Sequence, residues 1–154
     1  MGVEDDMLPP LGHDVTALDI IMGAAATRDW NRQHHDDVYS REMRLPGVIM
    51  NAPTQTGWFH AYAMRWAGPG ARIARWKLKM RKPVVSGAQL RFSGKSVHQE
   101  PAGSAMHWIW LNLNMEADSQ LYSTMNLLLA RPAVAGTSCW DIPQDQWQPP
   151  ALQR

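Results

Sequence analysis

The residues whose types and spacing suggest chemistry lie in one polar stretch, TRDWNRQHHD at positions 27–36. Asp29 and His34 stand five residues apart there, in a predicted loop that follows a short helix. A carboxylate and an imidazole that converge on one water molecule can hold that water and move its protons. The spacing therefore raises general acid–base catalysis as a hypothesis, against the alternative that both residues are merely solvated or capping side chains.

The second candidate feature is the start of the longest predicted helix, over residues 53–67. Proline suits the first helical position, and Gly68-Pro69-Gly70 ends the pattern. The first N–H groups of a helix lack internal partners and point along a favourable dipole. Because Pro53 has no N–H, the Ala52 amide is the natural donor at this turn. Such a donor can stabilise a developing oxyanion by about 3 kcal/mol, although many helix starts have no catalytic use.

The remaining predicted elements must position these two features. We expect a short strand over 15–18, a short helix from an Asp19 cap to Ala26, and one or two helical turns over 37–44. After the long helix the apolar period changes to two, which predicts a strand over 74–80 with one basic face. Three further strands are predicted over 88–99, 107–115 and 121–130. One long helix followed by an antiparallel meander is an α+β fold, with the helix packed on one sheet face.

Length and composition limit the classes of protein to consider. The 154 residues predict one domain, divided into an extended arm (1–12), a body (13–130) and a Pro- and Trp-containing tail (131–154). A net charge of +1 disfavours a dedicated nucleic-acid binder. No apolar stretch approaches the roughly 20 residues that span a bilayer, and the amino terminus lacks a secretory signal. With one cysteine and no predicted membrane contact, we expect a cytoplasmic protein.

The loop, the helix start and the basic strand together resemble the MaoC-like hot-dog family, over about residues 14–130. The family's loop motif, S/T-G-D-x-N-P-I/L-H, is T-R-D-W-N-R-Q-H here. The motif residues Asp29, Asn31 and His34 are in place, whereas the positions occupied by Arg28, Arg32 and Gln33 depart from it.

Two further segments carry the resemblance. The family's G-x-I-A-H-G-M stretch corresponds to residues 47–53, which puts its oxyanion glycine at Ala52. Residues 79–90, KMRKPVVSGAQL, resemble the family's basic strand and the turn after it. The sequence is most similar to a branch with A-T-R-D-x…H-H-D, N-x-x-T-x-T-G and W-A-G-P. That branch includes small catalytic subunits of heteromeric enoyl-CoA hydratases that act on steroid side chains.

The resemblance implies a hot-dog fold, in which an antiparallel sheet wraps one long central helix, and it implies a hydratase. Asp29 and His34 would activate a water that adds to C3 of a trans-2-enoyl-CoA, giving the (R)-3-hydroxyacyl-CoA, or catalyse the reverse dehydration. Ala52, with Asn31 and Asn51, would bind the thioester. No metal or organic cofactor is expected, since coenzyme A is part of the substrate. Because hot-dog sheets pair edge to edge, we expect a homo-oligomer or a hetero-oligomer with a second MaoC-like subunit.

Several alternatives remain open at this stage. The basic strand residues Arg75, Lys77, Lys79 and Arg81 either meet coenzyme A phosphates or form a solvated face. The aromatic residues of the long helix line an acyl pocket or belong to the core. A metal site is disfavoured, because adjacent histidines in an extended loop point apart.

Two other function classes remain besides the hydratase. A hot-dog thioesterase typically needs a carboxylate on the long helix, and residues 53–67 contain none. A non-catalytic acyl-CoA-binding subunit is the third function class.

Overall fold

The computed structural model describes residues 7–152, which form one antiparallel five-stranded sheet and three α-helices. The strand order is β1-β3-β4-β5-β2. The strands are β1 (Met7–Asp14), β2 (Arg72–Met80), β3 (Gln89–Ala102), β4 (Met106–Ala117) and β5 (Gln120–Pro132). The helices are α1 (Ala17–Ala26), α2 (Asp37–Glu42) and α3 (Ala52–Ala67). This is the predicted α+β architecture. No helix within residues 7–152 is both long enough and apolar enough to cross a membrane.

The main core lies between α3 and one face of the sheet. Phe59 and Ala63 of α3 are fully buried there. They pack in one cluster with alternate residues of the central strands, namely Ile109, Leu111, Leu113, Met125, Leu127 and Leu129. The helix ends at Gly68, whose φ of 91° is a conformation that glycine adopts without a steric penalty. The predicted bounds of the helix are therefore confirmed to within one residue.

The amino-terminal prediction needs a correction, because the described part of the expected arm joins the sheet. Met7–Asp14 pairs antiparallel with β3 as an edge strand, with a register shift between Leu8 and Leu11. Pro9 and Pro10 lie within that shift, where an edge strand tolerates their missing N–H groups. Residues 1–6 of the arm lie outside the described residues.

The predicted strand over 15–18 and the predicted cap at Asp19 are also wrong. Thr16 caps α1, and the Asp19 carboxylate accepts the Thr16 backbone N–H at 2.8 Å to complete a capping box. α1 then crosses α3 at Gly23, where a Cβ atom would lie 2.3 Å from Thr54 Oγ1. The absence of a side chain at Gly23 therefore lets the two helices approach this closely.

The opposite face of the sheet is covered by the carboxy-terminal tail. Trp108 and Trp110 of β4 form a second buried cluster with Trp147 and other apolar tail residues. The Arg72 guanidinium lies 4.0 Å from the ring centroid of Trp147 and 4.9 Å from that of Trp140. As far as Leu152, the tail beyond β5 therefore lies along the body and contains one short 3₁₀ turn, Cys139–Asp141.

Candidate active site

The loop that joins α1 to α2 brings the two predicted catalytic side chains together. His34 Nε2 lies 3.3 Å from Asp29 Oδ2. A single 3₁₀ turn, Arg32–His34, directs the imidazole back towards Asp29, and the His34 N–H donates to the Asn31 carbonyl at 3.0 Å. The His34 side chain is 5% exposed and that of Asp29 is 22% exposed. The pair is therefore largely shielded but still reachable from solvent.

The hydrogen bonds of His34 fix its proton arrangement. Its Nδ1 lies 2.6 Å from the Ile49 carbonyl oxygen, which can only accept a hydrogen bond. The proton of the neutral ring is therefore on Nδ1, and Nε2 presents a lone pair beside the Asp29 carboxylate. This arrangement leaves Nε2 able to accept a proton.

The Asp29 carboxylate accepts hydrogen bonds from two asparagine side chains. Asn51 Nδ2 donates to Oδ2 at 3.1 Å, and Asn31 Nδ2 donates to Oδ1 at 2.9 Å. The Asn31 backbone N–H also donates to Oδ1, at 3.3 Å. These bonds, the one from Asn51 above all, lower the pKa of Asp29 because they favour the charged form. Asp29 is therefore ionised at neutral pH.

Ala52 is the first residue of α3, so its backbone is helical and has no need of glycine. Within residues 7–152, no acceptor is hydrogen-bonded to the Ala52 amide. Ala52, Asp29 and His34 line the same open cleft, whose volume is about 450 Å³. A proton-moving pair and an amide donor at a helix start thus face one space.

The structure separates the two predicted asparagines by role. Asn31 is exposed and lines the cleft next to Asp29. Asn51 is 2% exposed, and its side chain has protein partners at both its oxygen and its nitrogen. It also lies along the cleft wall, but those partners leave its side chain no capacity for the substrate contact that we expected.

Of the four predicted coenzyme A contacts, only Arg81 lines the cleft, where Lys82 accompanies it. The residues Arg75, Lys77 and Lys79 do not, because they project from the sheet face opposite α3. Arg75 instead donates to the carbonyl oxygens of Pro149 and Pro150 in the tail, at 3.1 and 2.9 Å. The period-two pattern identified the basic face but not which end of the strand borders the site.

The three departures from the family motif leave the geometry intact. Arg28 has a φ of 55°, the left-handed region that explains a glycine at this motif position. Arg32 points away from the cleft, with its Nη2 2.7 Å from Asp36 Oδ2. Gln33 lines the cleft, and its Nε2 lies 3.4 Å from His34 Nε2.

One residue of the cleft wall escaped the sequence analysis. Gln55, one turn into α3, is 1% exposed and accepts a hydrogen bond from Ser123 Oγ at 2.6 Å. Its Nε2 donates to the Met50 carbonyl at 3.4 Å. The sequence does hint at Gln55, because a polar residue four positions before Phe59 lies on the otherwise apolar face of the helix. By contrast, the aromatic residues Trp58, Tyr62 and Trp66 pack with the core and do not line this cleft.

Over the part of the chain that the structure describes, no three His, Cys, Asp or Glu side chains are grouped as metal ligands would be. Asp29 and His34 can exchange protons with a bound hydroxyl, and the Ala52 amide can donate to an oxygen that gains charge.

Comparisons with known proteins identify the family and the fold. The family described as MaoC like domain matches residues 3–106. The 3-oxo-4,17-pregnadiene-20-carboxyl-CoA hydratase beta subunit of Mycobacterium tuberculosis is 33% identical over 95 residues, which are 62% of this chain and 74% of that protein. A chain of the ChsH1–ChsH2 complex from M. tuberculosis superposes with a TM-score of 0.78 at 25% identity, covering 85% of this chain and 99% of the other.

A more distant structure supports the fold alone. The (R)-hydratase from A. caviae involved in PHA biosynthesis superposes with a TM-score of 0.71 at 15% identity, covering 83% of this chain and 96% of the hydratase. This similarity confirms the predicted hot-dog fold. The motif in the loop, the arrangement of helix and sheet, and the family match lead to one assignment: the chain belongs to the MaoC-like dehydratase family.

Proposed function

We propose that this chain hydrates trans-2-enoyl-CoA thioesters to (R)-3-hydroxyacyl-CoA, or dehydrates the product, with a bulky or steroid acyl chain as substrate. The observation that carries the proposal is the convergence of Asp29, His34 and the Ala52 amide on one cleft. The acyl class is drawn from the pregnadiene-carboxyl-CoA hydratase subunit to which the chain is similar.

In the proposed reaction a water molecule in the cleft bridges Asp29 Oδ2 and His34 Nε2 from one side and donates a hydrogen bond to each. Both atoms accept hydrogen bonds, so they orient the oxygen lone pair of the water towards C3 of the enoyl group. As the new C–O bond forms, the pair takes up one proton of the water, and the electrons of the double bond move towards the thioester carbonyl. That proton then passes to C2, which balances the addition of H and OH. General acid–base catalysis of this kind contributes about 10²–10⁴-fold in rate.

The charge that develops on the thioester oxygen needs a donor that is already in place. The Ala52 amide serves this role in our proposal, since it begins α3 and has no acceptor within residues 7–152. The helix dipole adds to its effect. Arg81 and Lys82 border the same cleft and are exposed, so we assign them the coenzyme A phosphates.

The competing thioesterase function finds less support, because α3 has no acidic residue that could attack or activate a water there. The non-catalytic alternative rested on the departures at Arg28, Arg32 and Gln33. None of the three displaces Asp29 or His34 from their mutual contact, which favours a catalytic chain.

The test is the loss of enoyl-thioester absorbance with a panel of substrates from crotonyl-CoA to steroid enoyl-CoAs. We expect Asp29→Asn and His34→Ala each to lower kcat/KM by about 10²–10⁴-fold without unfolding the protein. Asp37→Asn, on α2 and outside the cleft, serves as the matched control and should retain full activity. Release of free thiol instead of hydration would contradict the proposal in favour of a thioesterase. Unchanged turnover in both cleft variants would contradict the assigned residues.

We further propose that the chain works beside a second, non-identical MaoC-like subunit that pairs along β2. Within the described residues β2 pairs only with β5, and Trp76 beside its open edge is 49% exposed. Beneath that ring lies His60, whose Nε2 is buried and without a hydrogen-bond partner in residues 7–152.

The charge of β2 favours a non-identical partner. Lys77 and Lys79 lie on the same sheet face, paired with Asn126 and Thr124 of β5. Antiparallel pairing of β2 with a second copy would bring these like charges opposite each other, which destabilises each pair by about 0.2–1 kcal/mol. A related subunit with an acidic edge would remove the repulsion. The ChsH1–ChsH2 complex, to which this chain is similar, is itself made of two different subunits.

Sedimentation of the chain alone should show weak self-association at low salt. Mixing it with the Lys77→Glu/Lys79→Glu double variant should strengthen association by about 5- to 100-fold, because two like-charge pairs become opposite-charge pairs. Val38→Glu, a charge placed at an exposed apolar position on α2, is the control and should not strengthen it. A tight homodimer of the unmodified chain that is indifferent to salt would overturn the heteromeric proposal.

A further inference from the structure

We infer that Asn51 is a positioning residue that ties the Asp29 carboxylate to the first turn of α3, and so sets the separation between the water-activating group and the Ala52 amide. The inference rests on the proposed hydratase function and deepens it. It gives Asn51 a role different from contact with substrate.

The nitrogen end of the Asn51 amide joins the helix to the catalytic loop. Asn51 Nδ2 donates to Asp29 Oδ2 at 3.1 Å and to Thr27 Oγ1 at 2.8 Å. An amide nitrogen carries two protons, so both are used. The Thr27 hydroxyl in turn donates to the carbonyl of Gly23, at 2.9 Å, near the end of α1. The loop that carries Asp29 is therefore attached to the start of α3 through Asn51 and to the end of α1 through Thr27.

The oxygen end of the same amide caps α3. Asn51 Oδ1 accepts the Thr54 backbone N–H at 3.1 Å and also the Thr54 hydroxyl. Because Ala52 directly follows Asn51, the donor at the helix start and the carboxylate across the cleft are linked through one buried side chain. Asparagine suits this position, since aspartate lacks the donor and serine lacks the reach.

The link also controls the charge of Asp29. The hydrogen bond from Asn51 is the largest of the influences that lower the pKa of this carboxyl, ahead of those from Asn31 and His34. The other charged or titratable groups near Asp29 are His35, whose Nε2 contacts the Asp29 carbonyl, and Arg81 and Lys82 across the cleft. Replacing the Asn51 amide with a carboxylate would remove the donor and put a like charge against Asp29 Oδ2.

The decisive variant is therefore Asn51→Asp, which retains an oxygen to cap α3 but loses the donor. Activity requires ionised Asp29, so it is lost as the pH falls through the Asp29 pKa. A raised pKa moves that loss to higher pH, and we expect a displacement of about one pH unit or more. Misplacement of the carboxylate should lower kcat by about 10²-fold, with KM changed less than about threefold, since substrate does not touch Asn51.

Two further variants separate the loss of the donor from the added charge and from a general effect on helix capping. Asn51→Ser removes the donor without adding charge, so kcat should fall while the pH profile shifts less than in Asn51→Asp. Thr16→Val removes a capping hydroxyl from the start of α1, outside the cleft, and should keep near-normal kcat. Thermal unfolding of all three variants identifies any loss of the folded protein.

Carbon NMR titration of the Asp29 carboxyl in the free protein gives a readout that does not depend on turnover. A raised Asp29 pKa in both Asn51→Asp and Asn51→Ser is the expected result, and it stands even if the unmodified chain proves not to be a hydratase. An unchanged Asp29 titration in both variants would overturn the inference. A raised KM with unaltered kcat and pH profile would also overturn it, because that pattern belongs to a substrate contact.

Discussion

The two faces of the sheet are covered in different ways. One face packs against α3, whose regular apolar positions fill a continuous core with Phe59 at its centre. The other face is covered by the tail, which up to Leu152 contains a single short 3₁₀ turn and makes isolated contacts through Trp147 and neighbouring side chains. The candidate active site belongs to the α3 side, because its amide donor begins that helix.

We infer from this difference that the stability of the fold and the proposed catalysis both depend mainly on the α3 side of the sheet. Contacts on the α3 side are cooperative, since each buried side chain touches residues from several strands. On the tail side, single anchors such as the Arg72 guanidinium between two indole rings carry much of the attachment. We expect substitutions on the two sides to differ both in free energy of unfolding and in their effect on turnover.

The largest effect should come from Phe59→Ala. The side chain is fully buried between α3 and Phe92 of β3, with ring centroids 5.5 Å apart. Its removal leaves a cavity and should lower the free energy of unfolding by about 3–5 kcal/mol, measured by urea denaturation. Phe59→Leu retains most of the volume and serves as the control. A loss below about 1 kcal/mol for Phe59→Ala would show that the α3 side can collapse around a void. The two sides of the sheet would then differ less in their contribution to stability than we expect.

A smaller effect should come from Trp147→Ala on the tail side. The indole is half-buried against Trp108, with ring centroids 5.0 Å apart, and it stacks on Arg72. Loss of this area and of the cation–π contact should lower the free energy of unfolding by about 2 kcal/mol. Turnover of enoyl-CoA by the folded variant should remain within about twofold, since none of the described tail residues, up to Leu152, lines the cleft. A large fall in kcat without unfolding would connect the tail to catalysis and break the comparison.

The sequence was most informative where local signals and tertiary structure agree. Pro53 and Gly68 bracket α3 because their backbone preferences are strong, and strict alternation over residues 74–80 predicted β2, which begins two residues earlier. The segment of β1 was expected to be an extended arm because Pro9 and Pro10 exclude a helix; its pairing was missed, although an edge strand tolerates the missing N–H groups. The cap of α1 was misplaced because Thr16 and Asp19 are both good capping residues, and only the reciprocal bonds distinguish them.

The site was predictable in its residue types but not in its connections. The family motif pointed to Asp29 and His34, which the structure places 3.3 Å apart. The bond between Asn51 and Asp29 spans 22 positions, and no spacing rule signals a contact of that length. Likewise, the alternation of β2 grouped Arg75 with Arg81. Arg75 in fact donates hydrogen bonds to the tail, whereas Arg81 lines the cleft.

The close crossing of α1 and α3 links the loop that carries Asp29 to Gly23, which does not line the cleft. The missing methyl group at Gly23 is what allows Thr54 to lie where its hydroxyl and amide hold Asn51. A single carbon added to α1 would therefore push on Thr54, then on Asn51, and finally on the carboxylate of Asp29. The small size of residue 23 therefore determines how accurately the Asp29 carboxylate is positioned relative to α3.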